Sequence, residues 1–347
     1  MIYFHNDYSE GCHEKVLQAL IATNMEQTPG YSTDDYCKQA ADKIRAACGR
    51  DDLSVHFLVG GTQANLTVID AALRPHQAAL GAVSAHINSH ETGAVEATGH
   101  KVLSVPSDDG KITAEQVRQV IDAHRASDSF EHEPQPKLVY ISNPTEYGTL
   151  YSLSELEALS AVCREKGLYL FLDGARLGYG LMAKGNDVTM ADLARLCDVF
   201  YIGGTKVGAL FGEAVVFSNL ALAEDFRYLI KQHGGMLAKG RLLGVQFDAL
   251  FTDDLYFEIS AHAVRMADQI RATFDELGVP YLVPGVTNQI FPILSDSFLK
   301  ALATDFMFTE MGRVDATHRC VRFCTSWATK QENVDALCSA LKQIPLE

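Results

Sequence analysis

Short apolar runs alternate with amphipathic segments through the middle of the chain. Strands are predicted at VHFLV (55–59), KVLSV (101–105), KLVYIS (137–142), LYLFL (168–172), DVFYIG (198–203) and EAVVF (213–217). Helical periodicity follows at TQANLTVIDAAL (62–73) and at AEQVRQVIDAHRA from Ala114. This alternation is typical of a parallel sheet covered by helices on both faces. We therefore predict an α/β fold built on a mostly parallel sheet.

The pattern changes after about residue 240. A long helical segment covers 257–277, strands are predicted at FPIL (291–294) and CVRFC (320–324), and NVDALCSALKQI predicts a closing helix. This order indicates a smaller C-terminal α+β domain at 241–347, after a large domain at 21–240. We expect residues 1–20 to pack back onto the smaller domain.

Composition and charge narrow the class of protein. Hydrophobic residues make up 47% of the chain and charged residues 21%, as in ordinary globular proteins. The net charge of −15 repels nucleic acids and anionic membranes, so we expect neither as a partner. The chain also lacks an apolar run long enough for a membrane helix, and its N-terminus does not resemble a signal peptide. These features favour a soluble, cytoplasmic protein.

The eight cysteines point to the same compartment. They stand at positions 12, 37, 48, 163, 197, 320, 324 and 338, without CxxC pairs or histidines at zinc-finger spacing. In a chain of this length the pattern is typical of free thiols in a reducing cytosol. The sequence predicts no metal site.

A glycine-rich turn, GGTQAN (60–65), lies between a predicted strand and a predicted helix. Ligands of open α/β sheets bind at the carboxyl ends of the strands. There, glycines let the backbone approach an anion and a helix N-terminus offers unpaired amides. The turn thus suggests a phosphate site, although it matches neither the dinucleotide nor the nucleoside triphosphate motif. The alternative is an ordinary tight turn with Thr62 as the N-cap.

Two charged residues follow neighbouring strands at the same predicted edge. Asp173 comes directly after LYLFL, and a carboxylate there needs a cation or a hydrogen-bond donor, for which Arg176 is the simple structural candidate. Lys206 comes after DVFYIG in an uncharged stretch, and burial would lower the pKa of its amine and make it a nucleophile toward carbonyls. Otherwise Lys206 simply extends to solvent.

A phosphate cradle, an acid and an amine at one sheet edge match the needs of pyridoxal 5′-phosphate (PLP). The cradle binds the phosphate, the lysine forms a Schiff base with the aldehyde, and the acid keeps the ring nitrogen protonated. Taken together, the three features predict a PLP site.

The sequence resembles the threonine aldolase and β-eliminating lyase group of fold-type-I PLP enzymes. The resemblance runs from FHNDYSEG to CVRFCTSWAT, and its strongest motifs are GGTQAN, AHINSHETGAVEATGHK, ISNPTEYGTLY, FLDGARL and IGGTKVGALFGEA. It implies the fold-type-I PLP-dependent transferase fold. It also implies that Lys206, Asp173, His86 and His132 are the catalytic residues, with His86 stacked on the cofactor ring. The structural alternative for His86 is a satisfied core histidine.

The resemblance also implies two binding sets. The cofactor would be bound by Gly61, Thr62, His86, Asp173, Arg176, Thr205, Lys206 and Lys231. The substrate would be bound by Asn6, Tyr31, Arg176 and Arg322, with the arginines on its carboxylate because a guanidinium donates two parallel hydrogen bonds. His132 is expected near the substrate hydroxyl. Arg322 could equally be a surface residue of a half-exposed strand.

Relatives of this group are homotetramers with shared active sites, so we expect a homo-oligomer, either a dimer or a tetramer. Tyr31 and Lys231, and less directly Lys239, would reach into a neighbour's site unless the lysines are ordinary surface residues. Three positions depart from the family pattern: Asn6 replaces a serine, Ser32 a glycine, and Leu237 an arginine. These departures bear on substrate range and on the neighbour's phosphate contact.

The reaction implied by the resemblance is the retro-aldol cleavage of L-threonine or L-allo-threonine to glycine and an aldehyde. A histidine, His86 or His132, would remove the hydroxyl proton. The alternatives are β-elimination from a serine- or cysteine-type amino acid, and a PLP-binding protein without lyase activity. A nucleotide-binding protein is disfavoured by the missing phosphate motifs.

Overall fold

The computed structural model describes residues 1–345. The strands are β1 (Ile2–Tyr3), β2 (Ser54–Leu58), β3 (Gln77–Ala82), β4 (Lys101–Val105), β5 (Gln135–Ser142), β6 (Tyr169–Asp173), β7 (Val199–Gly203), β8 (Glu213–Phe217), β9 (Gln289–Ile290), β10 (Ile293–Ser295), β11 (Phe306–Met307), β12 (Thr309–Arg313) and β13 (His318–Cys324).

The α-helices are α1 (Glu14–Thr23), α2 (Asp35–Cys48), α3 (Gly61–Ala72), α4 (His86–Ser89), α5 (Ala94–Ala97), α6 (Ala114–Ala126), α7 (Leu153–Lys166), α8 (Leu177–Leu181), α9 (Met190–Leu196), α10 (Phe226–Gln232), α11 (Arg241–Leu250), α12 (Leu255–Glu276), α13 (Asp296–Leu302) and α14 (Gln331–Gln343). Short 3₁₀ turns cover Phe130–His132 and Leu220–Leu222. Within residues 1–345, no helix combines the length and apolarity needed to cross a membrane.

The large sheet has the strand order β2-β8-β7-β6-β5-β3-β4. Strands β4, β3, β5, β6 and β7 pair in parallel, whereas β8 runs antiparallel to both β7 and β2. The predicted α/β fold with a mostly parallel sheet is confirmed. Strand β3, which lies between β4 and β5, is absent from the sequence prediction.

Local sequence explains why the connecting helices begin and end where they do. In α7, the Ser152 side chain accepts from the backbone N–H of Glu155 while the Glu155 side chain accepts from the backbone N–H of Ser152, which is a capping box. The same helix ends at Gly167, whose φ of 72° lies in the left-handed region that glycine adopts at little cost. Helices α6 and α9 begin with the same reciprocal cap.

A smaller antiparallel sheet forms the C-terminal part, with the order β10-β13-β12 and with β9 paired to β13. A separate parallel pair joins β1 to β11, so the N-terminal residues lie beside the C-terminal part. Helix α12 links the two parts of the molecule, since its first half packs in the larger apolar core and its second half in the smaller one.

The larger core continues past residue 240. Leu243 and Phe247 of α11 and Tyr256 of α12 belong to it. The N-terminal segment is divided between the cores, since Phe4 packs in the smaller one and Val16 of α1 in the larger one. The eight cysteines, all within the described residues, are free thiols.

Candidate active site

A cavity of about 720 Å³ opens at the carboxyl edge of the large sheet. Residues after β2, β3, β5, β6 and β7 line it, together with β12 and β13 of the smaller sheet. Its lining brings together a large share of the predicted site residues, namely Gly61, Thr62, His86, Asp173, Arg176, Thr205, Lys206 and Arg322.

Asp173, the last residue of β6, is held by four hydrogen-bond donors. The hydroxyls of Tyr140 and Tyr201 each donate at 2.5 Å, to Oδ2 and Oδ1 respectively. The backbone N–H of Ala175 donates to Oδ1 at 2.9 Å and the Asn65 amide to Oδ2 at 3.1 Å. Burial alone would raise the pKa of Asp173, but the two hydroxyls and the charge of His86 lower it below the usual value. The carboxylate therefore stays ionised inside the protein.

Lys206 lies in the turn after β7, beside a pair of glycines that the turn requires. A Cβ on Gly203 would lie 2.3 Å from the backbone oxygen of Ala175, and one on Gly204 would lie 2.7 Å from that of Gly212. Burial, followed by the charge of Arg176, lowers the pKa of the Lys206 amine, although Asp7, Asp173 and Glu213 act in the opposite direction. The amine loses its proton more readily than an exposed lysine does, as a nucleophile must.

Glu213, the first residue of β8, fixes the turn that carries Lys206. Its Oε1 accepts the Thr205 hydroxyl at 2.8 Å and its Oε2 accepts the backbone N–H of Gly204 at 3.1 Å. The Thr205 oxygen in turn accepts the N–H of Gly212 at 3.0 Å. Burial raises the pKa of Glu213. The Thr205 hydroxyl therefore donates to Glu213 and accepts from Gly212, and these two bonds stabilise the turn that carries Lys206.

His86 begins α4 and is tied to a buried acid. Its Nδ1 lies 2.7 Å from Oε1 of Glu91, and the Asn65 amide donates to that same oxygen at 2.7 Å. Since Asn65 also donates to Asp173, a continuous hydrogen-bonded chain joins His86 to Asp173. Burial lowers the pKa of His86, but the Glu91 hydrogen bond and the charge of Asp173 outweigh it, so the pKa is raised.

The glycine turn after β2 provides an anion site made of backbone. Gly60 is the N-cap of α3 and makes no side-chain cap hydrogen bond. The first amides of a helix lack intrahelical partners and carry partial positive charge. A Cβ on Gly61 would approach the Tyr201 hydroxyl to 3.0 Å, so glycine keeps this side of the cavity open. The turn can hold a phosphate.

The two arginines differ in what they already bind. Nε and Nη2 of Arg176 donate to Asp7 at 2.7 and 3.0 Å, so two of its donors are committed within the protein. Nη2 of Arg322 donates to the backbone oxygen of His5 at 3.1 Å and Nη1 donates to Oε1 of Gln289 at 3.4 Å, whereas its buried Nε has no hydrogen-bond partner in the part of the chain described. Both arginines line the cavity, where their guanidinium groups can approach an anion.

Five predicted residues stand outside this cavity in the same chain, namely Asn6, Tyr31, Lys231, Lys239 and His132. The Asn6 oxygen accepts from the Tyr8 N–H and the Ser9 hydroxyl, and Tyr8 rather than Asn6 lines the cavity. Tyr31 lies on another surface, where Nζ of Lys231 sits 5.2 Å from the centre of its ring. Lys239 is exposed. Tyr31 and Ser32 have φ of 60° and 59°, in the left-handed region that favours glycine.

His132 is the fifth of these residues. It lies in the 3₁₀ turn before β5, beside His76 and Lys101, which stand at the amino ends of β3 and β4. Lys206 follows the carboxyl end of β7. Because parallel strands present their amino ends at one edge of the sheet and their carboxyl ends at the other, His132 lies across the sheet from Lys206. It is not part of this chain's cavity.

Sequence reasoning missed several cavity residues. Glu146, Tyr8 and His90 line the cavity, and the ring of His90 stacks on that of His86 at 5.6 Å. Glu146 and His90 follow β5 and β3, so they stand where Asp173 and Lys206 stand on β6 and β7. Tyr140 and Tyr201 were also missed, although each places a hydroxyl within the apolar run of its strand.

The donor set fits the groups of PLP. An amine with a lowered pKa, an ionised carboxylate, and a helix N-terminus free of side-chain caps face one cavity. These suit an aldehyde, a protonated ring nitrogen and a phosphate.

Comparison with known proteins supports the same identification. The chain is 32% identical to the low specificity L-threonine aldolase of Pseudomonas sp., over 98% of this chain and 97% of that protein. The Leishmania major threonine aldolase structure superposes with a TM-score of 0.96 at 45% identity, covering 99% of both chains.

More distant structures show the fold alone. A Thermus thermophilus aspartate aminotransferase aligns with a TM-score of 0.72 at 16% identity, over 98% of this chain and 90% of that one. The predicted fold-type-I PLP-dependent transferase fold is confirmed. The model of the Beta-eliminating lyase family matches residues 7–297. The predicted family is thus confirmed, and the chain belongs to the threonine aldolase and β-eliminating lyase family.

Proposed function

We propose that the protein is a PLP-dependent aldehyde-lyase that cleaves L-threonine or L-allo-threonine to glycine and acetaldehyde. The observation that carries the proposal is the Lys206 amine, with its lowered pKa, facing the same cavity as the ionised Asp173. The names of the Pseudomonas and Leishmania relatives support this choice of reaction within the family.

Each residue has a role that follows from its surroundings. Gly61 and Thr62 would hold the phosphate through the amides of α3, Asp173 would keep the ring nitrogen protonated, and Lys206 would bind the aldehyde carbon. When bound, PLP supplies a conjugated ring that accepts the electron pair released at the substrate's α-carbon. His86, anchored by Glu91, would pack against the face of that ring.

Arg322 would bind the substrate carboxylate through its guanidinium group, with Arg176 adding the donor that Asp7 does not occupy. A carboxylate fixed at this point would hold the substrate in one orientation in the cavity. The two arginines would thus influence which bond at the α-carbon breaks.

The first experiment is to incubate the PLP-loaded protein separately with L-threonine and L-allo-threonine and to measure acetaldehyde. We expect release from at least one, and the ratio of the two rates gives the preference at Cβ. Lys206→Ala should abolish turnover while PLP still binds weakly, whereas the exposed Lys184→Ala should leave turnover unchanged. An active Lys206→Ala protein would overturn the assignment.

β-Elimination is the second candidate, because the matching family is described as Beta-eliminating lyase. The same cavity would then release a Cα proton and expel a β-substituent. Pyruvate and ammonia from serine- or cysteine-type amino acids, with no acetaldehyde from threonine, would establish this reaction instead.

The assembly and location are further parts of the proposal. We propose a cytoplasmic homo-oligomer in which Tyr31 and Lys231 approach a neighbouring subunit's site, with Lys231 directed to its phosphate. Their ring-to-amine contact places an aromatic residue and a cation together on the surface, away from this chain's own cavity. Light scattering coupled to gel filtration would distinguish a monomer from a dimer or a tetramer.

A further inference from the structure

Cleavage of a β-hydroxy amino acid needs a base for the hydroxyl proton, and several acceptors that line the cavity are already committed. Asp173 accepts four hydrogen bonds and holds the ring nitrogen in the proposed function. Both oxygens of Glu213 accept from the lysine turn. Nδ1 of His86 is bound to Glu91, so one ring nitrogen is already committed within the protein. The ring of His86 would lie against the face of the cofactor in the proposed function.

Glu146 is placed differently. It lies in the loop that follows β5 and lines the same cavity as Lys206 and His86. Its Oε1 accepts the Ser142 hydroxyl at 2.7 Å and the backbone N–H of His86 at 3.0 Å. The backbone N–H of Glu146 itself also hydrogen-bonds to the carboxylate. Among the other described residues, both donors meet Oε1, and none donates to the second oxygen, Oε2.

We propose that Glu146 is the catalytic base that removes the β-hydroxyl proton of the substrate, an inference that rests on the proposed function. Two other residues hold the carboxylate through Oε1, namely Ser142 at the end of β5 and His86 at the start of α4. The other oxygen can therefore meet a substrate hydroxyl without displacing a donor from another described residue. This assignment replaces both histidines named from the sequence.

The surroundings of Glu146 also suit a base that works near neutral pH. Burial raises its pKa, assisted by the charge of Asp173, while the hydrogen bonds from Ser142, from its own backbone N–H and from the His86 amide act against it. A raised pKa makes the ionised carboxylate a stronger proton acceptor. The titratable and charged groups around it are Asp173 on β6, His86 on α4, Tyr140 on β5 and Tyr151 before α7. The cavity lining adds Tyr8, His90, Arg176, Tyr201, Lys206, Glu213, Glu310 and Arg322.

The step balances without a further reactant. The hydroxyl proton passes to Glu146 Oε2, and the O–H electron pair becomes the second bond of the aldehyde carbonyl. The Cα–Cβ bond breaks and leaves its electron pair on Cα, where a proton then replaces the lost carbon. One proton leaves the substrate and one is added, so threonine yields glycine and acetaldehyde.

Glu146→Gln tests the assignment in the PLP-loaded enzyme. Glutamine keeps an oxygen for the Ser142 hydroxyl and the His86 N–H but cannot take a proton. We expect the rate of threonine cleavage to fall by about 10²–10⁴-fold, the usual contribution of a general base. Exchange of the glycine α-proton in D₂O, followed by NMR, should persist, because that reaction has no hydroxyl to deprotonate.

The pH profile supplies a second readout that a structural role would not change. In the wild-type enzyme kcat/KM for threonine should rise with pH as Glu146 ionises, and this limb should disappear in Glu146→Gln. Ser142→Ala removes a donor that lowers the Glu146 pKa, so its limb should move to higher pH.

Two outcomes of the variant would overturn the inference. One is a Glu146→Gln enzyme that cleaves threonine at the wild-type rate with an unchanged pH profile. The other is a variant that loses glycine exchange together with cleavage, which would indicate a structural defect. A wild-type enzyme that exchanges glycine protons yet releases no acetaldehyde would overturn the proposed function, and this inference with it.

Discussion

At the scale of single residues, two carboxyl groups of the site have pKa values shifted in opposite directions. The difference follows from the hydrogen-bond donors around each group. Asp173 receives four hydrogen bonds spread over both oxygens, and its pKa falls despite complete burial. Glu146 receives donors on one oxygen only from the other described residues, and burial raises its pKa. The same desolvation therefore yields a fixed anion in one place and a titratable base in the other.

His86 offers a direct test of this electrostatic arrangement. Replacing Glu91 by glutamine keeps an oxygen that can accept from His86 Nδ1 and from Asn65 but removes the negative charge. We expect the pKa of His86 to fall, because burial, which favours the neutral ring, then meets less opposition. Imidazole NMR shifts followed across pH would measure the change, with His86→Asn used to assign the signal.

The raised pKa of His86 also determines how its contribution to folding stability changes with pH. A histidine whose folded pKa is raised stabilises the fold at pH below its unfolded value of about 6.5, and this contribution is lost as pH rises through the folded pKa. The difference in stability between wild type and Glu91→Gln should therefore shrink in alkaline solution. A His86 pKa unaffected by the substitution would show that Glu91 acts only as a hydrogen-bond acceptor.

A site residue could be identified from the sequence when it stood directly after a predicted strand. Asp173 and Lys206 were found because each directly follows a strongly apolar strand. Glu146 also follows a strand, but it lies in the loop after Ser142, the last residue of β5. No apolar run leads directly to it, so the pattern did not single it out. His132 precedes β5, and because a residue before a parallel strand lies at the opposite edge of the sheet, it stands apart from the cavity of its own chain.

At the scale of elements, the sheet was predictable wherever its strands contain β-branched or aromatic residues. Strand β3, QAALGA, has neither kind and is buried along its whole length. Its small residues suit close packing: a Cβ on Gly81 would already lie 3.3 Å from the Cβ of Ala85. Strand propensity reflects side-chain packing more than backbone preference. A central strand made mainly of alanine and glycine therefore has low propensity and is not predicted from the sequence.

Helices α2 and α11 pack so closely that a single methyl group should separate them. A Cβ on Gly244 would lie 2.4 Å from the backbone nitrogen of Cys37 and 2.6 Å from its Cα. Gly244→Ala gains about 1 kcal/mol of helix propensity, but overpacking against backbone costs about 1–3 kcal/mol or more. We expect a net loss of stability, measured as a lower urea midpoint.

Gly11→Ala is the matched control for this substitution. Its Cβ would meet Leu210 Cδ2 at 3.7 Å, an ordinary contact, so the urea midpoint should stay close to that of the wild type. A Gly244→Ala protein as stable as the control would mean that the two helices can move apart freely.

At the scale of the whole molecule, one buried ion pair joins three distant parts of the chain. Asp7 of the N-terminal segment accepts Nε and Nη2 of Arg176, which precedes α8, and also the amide of Asn288, which precedes β9. Asp7 is fully buried, and the Arg176 side chain is 13% exposed. Because Arg176 lines the cavity, the pair connects the folding of the N-terminal segment to the shape of the site.

Asp7→Asn should therefore destabilise the whole molecule. Removing one partner of a buried pair leaves the other charge uncompensated, which costs about 3–5 kcal/mol. The Arg50–Asp52 pair has the same two-bond geometry, at 2.9 and 2.8 Å, but its side chains are 33% and 63% exposed. Asp52→Asn should accordingly cost no more than about 1 kcal/mol. Urea unfolding of both variants at neutral pH compares the two costs directly.

The pH dependence of stability distinguishes the charge of Asp7 from its packing and hydrogen bonds. Burial would raise the pKa of Asp7, but Arg176 and Lys206 lower it below the usual value. A carboxyl whose folded pKa is lowered stabilises the fold above its unfolded value of about 3.9, and the contribution is lost as pH falls through the folded pKa. The gap in unfolding free energy between wild type and Asp7→Asn should therefore narrow in acid, because the protonated aspartate then carries no more charge than asparagine. A gap that stays constant down to the lowest pH at which the protein folds would mean that Asp7 contributes packing and hydrogen bonds rather than charge.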